Sequence, residues 1–333
     1  MFKKTTAGLV SGLALALSAN AATAAGHLEE ITVAYFLEWP MPFQYAKVMG
    51  TYEEEMGVSI NWVSFDTGTA MSAAMASGDV QISVSQGVPP FVVAASAGQD
   101  IQIVDVAVSY SENDNRVVRS DLEIDASSAG ELAGKKVAVP LGTAAHYGFL
   151  SQMNHFGVDV AGLEVVDMAP QEGQAALAQG SVDMACGWGG ALRRMLESGN
   201  VLLTGAEKEE LGILVFDVTS APADFIAENG DLVAKFLKVT ADANAQWNGG
   251  DMGMLAAIAK DAGMDEDATK ATIGTFKFPT IDEQLSSAWL GGNAAAFMKG
   301  VADVFVGAGS IDAALDSYEG TINTGPLQAA AGM

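Results

Sequence analysis

Apolar and polar positions along this chain alternate between short strand-length runs and longer stretches rich in small residues. Ile31–Phe36 reads as a strand, followed by the loop Leu37-Glu-Trp-Pro-Met-Pro42 and a helical stretch to about Glu55. Ile60–Phe65 reads as a second strand. Asp66-Thr67-Gly68-Thr69 then opens a helix over Ala70–Ala76, and Ser77-Gly78-Asp79 leads into a strand at Val80–Val84. The second half repeats the order. Lys136–Val139 is a strand, Pro140–Ala145 a turn, Tyr147–Phe156 a helix, Glu164–Asp167 a strand, Gln171–Gln179 a helix, and residues 180–185 a turn and strand. Strands that alternate with helices predict βαβ units and parallel sheets, with ligands at the carboxyl ends of the strands.

One unit occurs twice. Met75-Ala-Ser-Gly-Asp-Val-Gln-Ile82 and Leu177-Ala-Gln-Gly-Ser-Val-Asp-Met184 share an apolar-Ala-x-Gly start and a polar-Val-polar-apolar end. Each Gly falls just past a helix, where a left-handed residue is wanted. The strands then run toward Ser85-Gln86-Gly87 and Gly187-Trp188-Gly189, both read as loops. Two copies predict two similar lobes. Tyr110–Asn115 is polar and turn-rich, and Ala221-Pro222-Ala223 breaks the chain again. A lobe over 116–218, inserted between 26–115 and 219–333, would place two crossovers side by side as a hinge. The tail reads as helical, over Asp231–Trp247 and Gln284–Phe305 among other stretches.

Composition adds to this picture. The 333 residues are 50% hydrophobic and 17% charged, with 41 acidic and 16 basic side chains and a net charge of −25. Such a chain buries a large core and is not intrinsically disordered. Its acidity excludes nucleic acid, whose phosphates need clustered Lys and Arg, and disfavours anionic membrane surfaces. The single Cys186 excludes an intramolecular disulfide framework. Met1-Phe-Lys-Lys4, the apolar run Ala7–Leu17 and Ala22-Thr-Ala-Ala25 have the layout of a signal peptide over residues 1–25, removed on export. Its loss takes away Lys3 and Lys4, so the mature chain would be still more acidic.

An exported, bilobal α/β chain with Phe65-Asp-Thr-Gly68, Met75–Ile82, Val92-Val-Ala-Ala-Ser96 and Leu132-Ala-Gly-Lys-Lys-Val-Ala-Val-Pro140 resembles the solute-binding proteins of ABC importers. Within them it is similar to the taurine and aliphatic-sulfonate group. Val33-Ala-Tyr35, His146-Tyr147, Trp188 and Phe216-Asp-Val218 extend the likeness to about residue 225. The resemblance implies a type II periplasmic binding protein-like fold, with two lobes of parallel-dominated sheets joined by a two-crossover hinge. It also implies a periplasmic monomer that closes on a small ligand and delivers it to an ABC permease in the inner membrane. Two departures stand out. The first loop, Phe36–Pro42, is unusually rich in aromatics and prolines, and Gly187-Trp188-Gly189-Gly190 carries extra glycine.

A zwitterionic sulfonate needs donors at one end and a carboxylate or aromatic face at the other. Thr67, Thr69, Thr143 and Ala144 stand at two helix starts, whose free N–H groups suit an oxyanion. Gln86 follows the neighbouring strand, and His146 is a further donor near Thr143. The alternative for each Thr is simple N-capping. At the cation end, Asp217 lies in the apolar strand Leu214–Val218 with no Lys or Arg nearby in sequence, so a ligand ammonium could meet it. Glu38, flanked by Phe36 and Trp39, offers a carboxylate with cation–π faces; its alternative is an exposed loop acid. Trp188 could close over a ligand or simply pack between lobes.

Other features carry less. Arg193-Arg194 reads as surface, and Cys186 as inert core. His27, His146 and His155 have no acidic cluster and make no metal site, and no cofactor motif is present. No Ser-His-Asp constellation or lysine-bearing phosphate loop emerges from the spacings, so a binding protein is expected rather than an enzyme. Rival ligands are an amine-free sulfonate, nitrate, a thiamine-related pyrimidine, and a betaine or choline derivative. The acid pair disfavours nitrate.

Overall fold

The computed structural model describes residues 28–333. The signal segment 1–25 and His27 lie outside the described residues. Among the described residues, ten strands build two five-stranded sheets. The first contains β1 (Glu30–Tyr35), β2 (Ser59–Ser64), β3 (Ile82–Gly87), β4 (Ile101–Ser109) and, far along the chain, β10 (Phe216–Pro222). The second contains β5 (Asp114–Arg119), β6 (Lys136–Val139), β7 (Glu164–Asp167), β8 (Met184–Trp188) and β9 (Gly199–Val201). The strand orders are β2-β1-β3-β10-β4 and β7-β6-β8-β5-β9, one pattern used twice. In each sheet the three strands of the βαβ units run parallel. The strand that enters after a crossover, β10 or β5, runs antiparallel to both neighbours. The chain has an α/β fold of two mixed, parallel-dominated sheets; each sheet with its helices is called a lobe below.

The repeated motif explains the equivalence of β3 and β8. Gly78 (φ 84°) and Gly180 (φ 69°) both take the left-handed conformation that ends the preceding helix and turns the chain into its strand. These strands run further than their sequence suggests. Ser85-Gln86-Gly87 and Gly187-Trp188, read as loops, are the ends of β3 and β8, because β10 and β5 pair with them: Gln86 with Val218, Gly187 with Asn115. The same pairing puts 216–218 in the first sheet and 114–115 in the second. At the crossover, Tyr110 N–H donates to Val215 O at 3.0 Å, so the two connections do lie side by side. Buried Lys208 of the second lobe holds the first of them, donating to Ser111 O at 2.6 Å and to Asp114 O.

Two predicted helices are broken. Gly50 (φ 73°) splits the stretch before Glu55 into Phe43–Met49 and Thr51–Met56. The stretch 284–305 becomes Ile281–Leu285 and Asn293–Gly307, with Gly291 and Gly292 in the intervening turn. The tail helix extends over Ala223–Asn248 and buries Val233, Phe236 and Leu237 in the first lobe's core. No helix among the described residues is long and apolar enough to cross a membrane.

Candidate functional site

The carboxyl ends of the strands in both lobes converge on a slot of about 20 Å³ lined by Phe36, Gly68, Gly87, Pro90, Tyr110, Thr143, Ala144, Trp188 and Asp217. That volume holds little more than one water-sized sphere, so the lobes are closed against each other. Phe36 meets Trp188 edge-on across it, with ring centroids 6.1 Å apart.

Asp217 is the slot's one ionisable carboxylate. It is 2% exposed. Ser85 Oγ donates to its Oδ2 at 2.7 Å, and the Tyr110 hydroxyl donates to Oδ1. Trp39, 1% exposed, donates from Nε1 to Ser85 Oγ at 2.9 Å and packs on Tyr110 and Phe276. A relay therefore runs from Trp39 through Ser85 to Asp217. Ser85 takes a left-handed φ of 61°, a strained conformation for a non-glycine residue and one that clusters at working sites. Among the described residues no Lys, Arg or His pairs with Asp217. Burial pushes its pKa up to about 8, against the two hydroxyl bonds that favour the ionised form.

Two helix starts face the same slot. Gly68 begins the helix Gly68–Ser77 and Ala144 the helix Ala144–Phe156. In each, the first N–H groups have no intrahelical partner. The threonines beside them are occupied. Thr67 Oγ1 accepts from Ala70 N–H at 3.2 Å and shares a hydrogen bond with Thr69 Oγ1. Thr143 Oγ1 donates to Pro140 O at 2.6 Å and accepts from His146 N–H at 3.4 Å. Thr67 and Thr143 are therefore N-caps. Thr69 points toward Gly142 of the other lobe, where a Cβ would lie 3.1 Å from its methyl.

Several expected ligand contacts have other partners. Gln86 is fully buried, donating from Nε2 to Gly68 O at 2.9 Å and to Ser72 Oγ at 2.5 Å while accepting from Ser220 Oγ, so it braces the helix start from behind. His146 turns away from the slot. Its Nδ1 accepts from Gly142 N–H at 3.1 Å, its ring stacks on Phe305, and burial lowers its pKa to about 4. It lines a separate groove of about 1050 Å³ on the far side of its helix, with none of the slot's residues. Glu38, expected to meet a ligand cation, meets a protein one: Arg194 Nη1 and Nη2 each donate to its carboxylate at 2.8 Å. That pair, led by the Arg194 hydrogen bonds, holds the Glu38 carboxyl below the usual range. Trp39 does not line the slot; its ring packs on Tyr110 and Phe276 instead. Thr143, Ala144, Trp188 and Asp217 are the expected residues that line it.

Tyr110, Gly68, Gly87 and Pro90 were absent from the predicted set, as was Arg116. Arg116 is fully buried and grips the start of the helix Ala144–Phe156, donating to Ala144 O (3.1 Å) and Ala145 O (2.5 Å). It also lies 2.8 Å from Asp114 Oδ1, at ion-pair distance though without hydrogen-bond alignment. Its signal in the sequence was a charged i, i+2 pair, Asp114 and Arg116, just before the apolar pair Val117-Val118. Cys186 is buried behind the slot with its thiol pushed up to about 12 by burial. No cluster of three or more His, Cys, Asp or Glu side chains among the described residues is arranged to hold a metal ion.

Comparison with known proteins bears on this geometry. The taurine-binding periplasmic protein of Escherichia coli (strain K12) is 31% identical over 213 residues, 64% of this chain and 65% of that one. The putative aliphatic sulfonates-binding protein of Bacillus subtilis (strain 168) is 25% identical over 202 residues, 60% of this chain and 59% of that one. The matches thus span less than two-thirds of either relative. Among solved structures, the periplasmic aliphatic sulphonate-binding protein SsuA of Escherichia coli superposes with a TM-score of 0.69 at 21% identity, over 87% of this chain and 96% of that one. The desulfurization enzyme DszB shares the fold at a TM-score of 0.62 and 12% identity, over 90% and 98% of the two chains. The architecture is thus that of the periplasmic solute-binding proteins, used elsewhere by an enzyme. The NMT1/THI5 like family model matches residues 41–247, more than half of the sequence and most of both lobes, and the chain belongs to that family.

Proposed function

We propose that this protein is the periplasmic substrate-binding component of an ABC importer, closing its lobes on taurine or a related small sulfonate. The observation that carries the reading is Asp217: a buried carboxylate without a protein cation, facing a slot bounded by helix starts from both lobes. A charge so placed is costly unless paired. A ligand ammonium supplies the pair, and the helix starts at Gly68 and Ala144 supply donors for a sulfonate. The relatives named for taurine and aliphatic sulfonates support the ligand class. A slot of about 20 Å³ must open to admit such a molecule, so binding is coupled to hinge motion. Lobes at 26–115 with 219–333 and at 116–218, give or take the strand ends noted above, are the moving bodies. The protein acts as a monomer in the periplasm, after loss of the leader, and hands its ligand to a membrane permease.

A second reading is favoured by Phe36 and Trp188, whose rings wall the slot beside Asp217. They would equally suit a cationic solute without a sulfonate, such as choline or a betaine. Catalysis has less support. The slot's lining contains neither a thiol nor an imidazole, and Cys186 and His146 are turned to other partners. Isothermal titration against taurine, an amine-free alkanesulfonate, choline and glycine betaine decides among these. Taurine is expected to bind most tightly. Silence toward both sulfonates would sink the sulfonate reading, and turnover of any of them would revive the enzyme.

A further inference from the structure

The two segments that depart from the family's usual loops meet each other. Glu38, in the loop after β1, and Arg194, in the helix after β8, belong to different lobes, yet the guanidinium clamps the carboxylate with two 2.8 Å hydrogen bonds. The fit is built from both sides. Glu38 sits at φ 53°, a left-handed conformation uncommon outside glycine, and is held there by its own N–H to Ala262 O at 2.7 Å. Gly190 N–H donates back to Glu38 O at 3.3 Å. A Cβ on Gly190 would lie 2.5 Å from Glu38 Oε2, and one on Gly189 2.8 Å from Glu38 O. The extra glycines therefore make room for this acid. Arg194 lies six residues along the chain from Trp188 and Glu38 two from Phe36, the aromatic walls of the slot.

We propose that Glu38 and Arg194 are positioning residues, a clasp between the lobes that holds Phe36 and Trp188 closed over the ligand without touching it. The proposal rests on the binding-protein reading above for its ligand, though not for its geometry. Opening the lobes must break a bidentate ion pair that no single lobe can form alone. Both side chains are about 30% exposed, so water and salt weaken the clasp. It tunes the open–closed balance instead of locking it.

Glu38→Gln, Arg194→Gln and the exchanged pair E38R/R194E test it, with Gly190→Ala as an independent route that crowds the carboxylate. Small-angle scattering of the ligand-free protein is expected to show a larger radius of gyration for each single variant, with recovery in the exchange. Taurine dissociation, followed by stopped-flow tryptophan fluorescence, is expected to quicken about fivefold in each single variant. E38Q/R194Q should be no faster than either single change, because one interaction is lost only once. Unchanged scattering and dissociation in the singles, or additive losses in the double, overturns the clasp. If the wild-type protein fails to bind taurine, the ligand reading fails while scattering still judges the clasp.

Discussion

Two carboxylates stand within reach of the cleft, and their settings are opposite. Glu38 at the rim is partly exposed and owned by Arg194; Asp217 at the floor is 2% exposed and owned by hydroxyls alone. A rim acid with its own cation has little to offer a ligand, since binding one there would mean breaking a good ion pair to form another. A floor acid whose partners are neutral donors is held back from ionising by burial, and a cation from outside would favour its charged form. The comparison assigns one acid to closure and the other to recognition, and each assignment can be broken separately.

The largest effect is expected from Asp217→Asn, which keeps the shape and one acceptor while removing the charge. Taurine should bind about a hundredfold more weakly, the size expected when one partner of a buried charge pair is lost. An amine-free alkanesulfonate should be nearly unaffected. Glu38→Gln should instead weaken both ligands by the same modest factor, because closure serves either. Equal losses for the two ligands in Asp217→Asn, measured by titration calorimetry, would remove Asp217 from recognition.

Next comes pH. In the ligand-free protein Asp217 ionises near pH 8 and in the unfolded chain near 3.9. Between those values the folded form holds a proton the unfolded form lacks, so this group's contribution to stability falls as pH rises through the window. Ammonium binding favours the carboxylate and expels that proton. Taurine affinity should therefore climb with pH from 6 toward 8, by up to about tenfold per pH unit. Calorimetry in buffers of different ionisation enthalpy should count close to one proton released near pH 6. Asp217→Asn should flatten both the affinity profile and the proton count; a wild-type protein releasing no proton would mean Asp217 is already ionised and paired.

How far the sequence could reach is seen in the same two acids. The βαβ order, the helix-ending glycines at 78 and 180 and the place of Asp217 in an apolar strand were legible because they are written in local pattern. Glu38 read as a ligand partner or a free loop acid because its ion-pair partner lies 156 residues away, on a helix whose Arg-Arg pair looked like surface. The ends of β3 and β8 were taken for loops for a related reason: their pairing strands, β10 and β5, arrive through crossovers that no local window contains. Trp39 and Gln86 were read as ligand contacts because a polar-tipped side chain at a strand end looks the same whether it faces a cleft or braces it. Only the structure shows Trp39 spending its N–H on Ser85 and Gln86 its amide on Gly68 and Ser72.

That bracing can be tested on its own. Ser85→Ala removes a donor to Asp217 Oδ2 and leaves the buried Trp39 indole N–H unsatisfied. Tyr110 still holds the other oxygen, so the acid keeps its place with less precision. Taurine affinity should fall about fivefold, the usual worth of one hydrogen bond, and the proton released on binding should remain. Loss of affinity equal to that of Asp217→Asn would show that Ser85 itself touches the ligand.

The smallest effect concerns the opposite end of the slot, where three threonines were candidates for the anion and two of them, Thr67 and Thr143, are seen to be caps. Thr143 spends its hydroxyl on Pro140 O and His146 N–H. Thr143→Ala should therefore cost about 1 kcal/mol of folding stability, as for an ordinary N-cap, with taurine affinity unchanged once the folded fraction is accounted for. Denaturant unfolding and titration of the same variant separate the two quantities. A tenfold loss of affinity at unchanged stability would move the hydroxyl from the helix to the sulfonate. If stability alone suffers, the anion is left to the backbone N–H groups of Gly68 and Ala144, with buried Arg116 fixing the second helix start from behind. An acidic protein can then hold an anion without spending a single exposed cation on it.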